Sequence, residues 1–160
     1  MKENEIKIIK QLGPSVLKAK MPEDVVNKLN TYIDKMILDE GKTKDLNMGE
    51  NLVGDVTQEF KLEKEIMFES GFINFLGVCT KRWVELETNQ KITKFNVRNS
   101  WVVRSFQNEY NPTHWHSGHI SGAGFLKVPK VLGQHVQNKK SKKYRGGHLE
   151  LIHGARMFMC

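Results

Sequence analysis

The run His114-Trp115-His116 is the part of this 160-residue sequence whose residue types and spacing bear most directly on chemistry. In an extended chain, residues two apart project to the same face, roughly 6 to 7 Å apart along the strand. Both imidazoles can therefore address one ion while Trp115 points the other way. Imidazole suits iron, zinc, copper or nickel, and a site with three protein ligands leaves coordination positions open. Such a pair also occurs on surface strands and loops that bind nothing, and that plainer reading stands beside the metal reading. The flanks favour the metal: Asn111-Pro112 forces a turn before the pair, while Ser117-Gly118 and Ser121-Gly122 keep side-chain bulk away from a cavity mouth. His119 lies off the parity of the pair and reads as a neighbour of the site or an exposed residue, not as a ligand.

Composition restricts a carboxylate partner. No aspartate occurs after Asp55, and after Trp101 the only acids are Glu109 and Glu150. A carboxylate ligand from this half of the chain must be one of those two, and neither has a telling spacing.

A pair on an extended segment needs a sheet to hold it and packing elements to hold the sheet. In residues 22–39 the apolar positions Val25, Val26, Leu29, Tyr32, Ile33, Met36 and Ile37 recur at helical spacing, with Pro22, Glu23 and Asp24 suited to a first turn. Ahead of it, Ile6, Ile8 and Ile9, then Val16 and Leu17, flank the Gly13-Pro14 break as two short strands. Residues 41–54 are polar and glycine-punctuated, a surface connection. Over residues 59–87, Ile66, Ile73, Leu76, Thr80, Trp83 and Val84 support helix, divided or weakened at Gly71 and Gly77, with its apolar stripe serving as core. Beyond Ile92 the texture turns to β. Phe95, Val97, Trp101 and Val103 share one parity through residues 94–106, and further short strands are expected at 120–128, 147–152 and 156–159. Helices first and strands later predict an α+β chain with a mainly β core. It is read as a single domain over residues 1–160, with a helical front half over about 22–90 and a β core over about 92–160.

Bulk properties exclude some classes. With 39% hydrophobic and 27% charged residues the chain has the makings of a packed core, which argues against wholesale disorder. No stretch approaches the roughly 18 to 20 apolar residues of a membrane span, and the first ten residues lack the pattern of a signal peptide, so the expected location is the cytoplasm. Cys79 and Cys160 form no Cys-x-x-Cys spacing and read as reduced thiols. The net charge of +7 raises the question of nucleic acid, but Lys139, Lys140, Lys142, Lys143 and Arg145 crowd one polar stretch that reads as a solvated loop. Tyr144 is its sole aromatic, too few for a stacking platform.

Taken in order, Tyr110, Asn111-Pro112, His114-Trp115-His116, Ser121-Gly122, an apolar strand from Leu126 to Pro129, a polar loop and Gly146-Gly147-His148-Leu149 resemble the iron(II)- and 2-oxoglutarate-dependent oxygenases related to prolyl hydroxylases. The resemblance spans roughly residues 101–152 and is weaker in the helical half. It implies a double-stranded β-helix, or jelly roll, holding Fe(2+) on a facial triad, with 2-oxoglutarate as cosubstrate. The first arm of that triad is a His-x-Asp or His-x-Glu pair in most such enzymes, and a histidine distant in sequence completes it. An arginine or lysine near the distal histidine pairs with the far carboxylate of 2-oxoglutarate. The implied reaction hydroxylates a C–H bond of a second substrate as the cosubstrate is decarboxylated to succinate. The resemblance leaves that prime substrate open between a protein side chain, a small metabolite and a nucleobase.

On this reading the metal ligands are His114 and His116. His116 stands where most of the family has a carboxylate, although His-x-His occurs in the branch this sequence most resembles. The chain stops at Cys160, before the turn, return strand, distal histidine and cosubstrate arginine that the resemblance implies. His135, His148, His153 and Arg156 match none of those positions, so neither role is transferred to them. The expectation is a core truncated at its C-terminus and inactive or impaired as this chain, with an unpaired strand edge prone to join a second copy. Two other readings remain. A non-enzymatic or hydrolytic cupin shares the His-x-His arm but expects a glutamate a few residues later, which the sequence does not supply. A basic nucleic-acid-binding domain would need phosphate contacts spread over a face and a steep salt dependence.

Overall fold

In the computed structural model of the chain, residues 6–9, 14–130, 137–139, 142–144 and 149–152 are described. The chain divides into two compact units, residues 1–121 and 122–160.

The first unit opens with an antiparallel hairpin, β1 (Ile6–Ile9) and β2 (Val16–Ala19), in which Ile6 faces Ala19 and Ile9 faces Val16. Helix α1 (Glu23–Met36) follows Pro22, whose fixed φ suits a helix entry, and carries Glu23 and Asp24 at the positive end of its dipole. Its buried residues, Val25, Leu29, Ile33 and Met36, lie on one stripe at the helical repeat. The connection expected over residues 41–54 contains a short helix, α2 (Glu40–Asp45), and a 3₁₀ turn (Gly49–Asn51). Asp39 nucleates α2 by accepting the Lys42 N–H at 3.0 Å. None of the residues in α2 is buried, so the segment remains surface.

The helical span expected over residues 59–87 instead starts with a strand, β3 (Gln58–Lys61). Glu59 and Phe60 are both buried, which puts cover on both faces and erases the alternation by which a strand is recognised. Helices α3 (Lys64–Glu69) and α4 (Phe72–Thr88) follow, separated at Gly71, whose φ of +83° ends one helix and starts the next. Gly77 does not break α4; a Cβ there would lie 3.6 Å from the Phe95 ring, so it lets the following segment pack closely. Of the strand expected over residues 94–106, only β4 (Trp101–Arg104) forms, opposite the four residues of β3. Phe60, Leu62, Met67 and Cys79 join the α1 stripe in the core. Two polar links brace the unit: the Tyr32 hydroxyl of α1 donates to Glu63 at the start of α3, and the Trp83 indole N–H of α4 donates to Ser15 Oγ, just ahead of β2, at 2.8 Å.

In the second unit, β5 (Gln137–Lys139) and β6 (Lys142–Tyr144) pair antiparallel, so the basic stretch read as a loop contains a hairpin. Residues 120–128 form no strand, nor do residues 149–152. The strands expected at 147–152 and 156–159 lie partly and wholly outside the described residues. Among the described residues every sheet is a two-stranded antiparallel pair, and no jelly roll is formed by them. No helix among them is long and apolar enough to cross a membrane.

Candidate metal centre

The β3–β4 ribbon aims the histidine segment. Its register sets Gln58 opposite Arg104, Glu59 opposite Val103, Phe60 opposite Val102 and Lys61 opposite Trp101. Directly opposed residues share a face and successive ones alternate, so Glu59, Lys61, Trp101 and Val103 lie on one side, and Gln58, Phe60, Val102 and Arg104 on the other. Beyond Arg104 the chain bends through a turn in which Asn108 takes a φ of +69°. It then rejoins its partner where the Asp55 N–H donates to Tyr110 O at 2.9 Å and the Tyr110 N–H returns to Asp55 O at 3.3 Å.

Glu109 clamps this turn. Its carboxylate accepts the Thr57 hydroxyl at 2.6 Å, the Thr57 N–H at 3.0 Å and the Phe106 N–H at 2.7 Å. The Thr57 hydroxyl and the Phe106 amide hold it below the usual carboxylate range. One of the two acids open to the second half of the sequence is therefore engaged in holding a backbone turn. The other, Glu150, is exposed in the second unit.

Past the Asp55–Tyr110 bridge, Asn111-Pro112 turns the chain into the histidine pair. The Nδ1–H of His114 donates to the Pro112 carbonyl at 2.7 Å, because a carbonyl can only accept. That bond fixes the tautomer and leaves the His114 Nε2 lone pair free, as in metal sites where a ligating imidazole gives its other N–H to a carbonyl or carboxylate. This Nε2 faces the Nε2 of His116 at 3.0 Å, with the two rings edge to face at 77°. Two nitrogens about 2.1 Å from one ion and at right angles around it are themselves about 3.0 Å apart. Without an ion, the same spacing suits a hydrogen bond donated by His116 to His114. The His116 ring also lies 5.4 Å from the Trp101 ring, which seats the pair against the Trp101 side of the ribbon.

The two rings meet through a local turn and not from the extended strand expected of them, since residues 111–121 form no strand. Trp115 is 87% exposed; His114, His116 and His119 are exposed as well. Among the described residues, no three His, Cys, Asp or Glu side chains close around a common point, so the imidazoles make a two-donor arm. Arg104 bonds to Gln58 on the far face of the ribbon, away from that arm.

Glu59 was not reached by sequence reasoning, which confined the carboxylate search to the half of the chain holding the histidines. It is 2% exposed, and its Oε2 has no hydrogen-bond partner among the described residues. Burial pushes its carboxyl above the usual range, His114 pulls it back down, and Glu109 adds to the upward push. The pairing of β3 with β4 brings it to the Trp101 face. Its only trace in the sequence is an acid set beside Phe60 in a strand too short to show a period.

No protein-family model, curated protein or solved structure matches the chain.

Proposed function

We propose that this chain carries the metal-binding region of an iron(II)- and 2-oxoglutarate-dependent oxygenase. One observation carries the proposal: the 3.0 Å approach of the His114 and His116 Nε2 atoms, with the first tautomer fixed by Pro112. Two neutral imidazoles at that spacing fit adjacent positions on a first-row divalent cation. The order of motifs around the pair supports iron, and the jelly-roll core and cytoplasmic location belong to the same proposal. When bound, iron(II) with 2-oxoglutarate would supply the dioxygen chemistry of hydroxylation. The chain's own residues supply orientation: Pro112 holds the His114 ring, Trp101 backs the His116 ring, and the Glu109 clamp fixes the turn from which both depart.

Anaerobic titration of the full chain with iron(II), with and without 2-oxoglutarate, tests the reading. The proposal predicts the weak visible absorption of an iron and 2-oxo-acid chelate, lost when His114 and His116 are both replaced by alanine. Iron binding without that band favours a metal protein of the cupin kind. Binding unaffected by the double replacement rules out the site.

A further inference from the structure

Ser70 and Glu59 are the buried polar side chains among the described residues. Ser70 is satisfied, its hydroxyl donating to Met67 O at 3.4 Å and accepting the Phe72 N–H at 3.3 Å. Glu59 Oε2 is not. A buried carboxylate oxygen left without a partner opposes folding, so a chain that keeps one has a use for its charge or its proton. The surroundings indicate which. Glu59 stands on the ribbon face of Trp101, the Trp101 ring lies 5.4 Å from the His116 ring, and His114 is the neighbour that favours the ionised form of the acid.

We infer that Glu59 is the counter-charge of the cation site, a buried carboxylate with one unpartnered oxygen whose charge is balanced when a divalent ion binds the His114–His116 pair. The inference rests on the metal reading of that pair and deepens it by naming an acid from a distant strand. Two neutral imidazoles leave both positive charges of the ion unbalanced, and a carboxylate shielded from water acts on them more strongly than an exposed one. Because the three side chains do not close around one point, Glu59 is a positioning residue that acts through its field and is not itself a ligand.

Glu59→Gln keeps the shape and removes the charge. In anaerobic iron(II) calorimetry on the full chain it should weaken binding about ten-fold or more, as loss of an outer partner does in metal sites. Glu59→Asp, which keeps the charge, should stay within a few-fold of the parent. The melting temperature without metal supplies the readout that a structural role would move the other way: relieved of an unpaired charge, Glu59→Gln should melt at or above the parent. Affinity unchanged in Glu59→Gln, while His114→Ala loses the ion, overturns the counter-charge and leaves the histidine site standing. A Glu59→Gln protein that loses affinity and melts lower assigns the residue to structure and likewise overturns the inference. A parent chain that binds no iron(II) overturns both.

Discussion

Hydrogen bonds to charged or chargeable groups decide the chemistry of individual residues here. The His114 Nδ1–H is committed to Pro112, which makes its Nε2 a donor of electron density before any ion arrives. A second such commitment joins Tyr32 of α1 to Glu63 at the start of α3, where Lys42 also approaches at 3.5 Å. The Tyr32 hydroxyl holds the Glu63 carboxyl below the usual range, while burial and the acid itself push the tyrosine upward. A carboxyl depressed in the folded state contributes stability that is full above its unfolded pKa and fades as pH falls through the folded value. Tyr32→Phe should therefore destabilise the chain at neutral pH by about 1 kcal/mol, toward the low end because Glu63 is partly exposed. That deficit should shrink in acid as Glu63 takes up its proton. Urea denaturation at several pH values checks both, and a deficit independent of pH would contradict the assignment.

The element that matters most to the site is the ribbon of β3 and β4 with its extension to Tyr110. Gly54 lies beside that extension: a Cβ there would collide with Asn111 Oδ1 and with Val56 Cγ2. Asn111 precedes Pro112, so the space left by one hydrogen at Gly54 helps set the carbonyl that orients His114. Gly54→Ala should weaken iron(II) binding several-fold while costing about 1 to 3 kcal/mol of stability, the usual range for overpacking. Calorimetry and denaturation measure the two effects separately, and unchanged binding would show that the turn tolerates a displaced Asn111.

Sequence periodicity identifies α1 because its four buried residues recur on one stripe, and the Gly13-Pro14 break marks the first hairpin. It misses β3 because Glu59 and Phe60 are covered on opposite faces, and it extends β4 too far because a four-residue partner pairs only four residues. The histidine pair was legible because its geometry is local, two residues and one preceding carbonyl. Glu59 was not, because the pairing that brings it to the Trp101 face joins strands separated in sequence by helices α3 and α4.

At the scale of the whole chain, the net charge of +7 makes it easy to treat the molecule as a binder of anions. The first unit argues for the opposite sign of ligand at one place: two imidazole Nε2 atoms 3.0 Å apart beside the Trp101 face of the ribbon, which carries a buried carboxylate with one oxygen unpartnered among the described residues. A cation bound there would link the turn at Pro112 to the ribbon through Trp101 and His116, so binding and local order should rise together. The most direct test records the imidazole nitrogen spectrum of the full 160-residue chain during a zinc(II) titration, zinc standing in for iron as a diamagnetic ion. The prediction is a His114 ring protonated at Nδ1 before addition, then Nε2 resonances of His114 and His116 moving to metal-bound positions in step and saturating at one ion per chain. Movement of one ring alone, or of the two at different zinc concentrations, would contradict the claim that they share an ion.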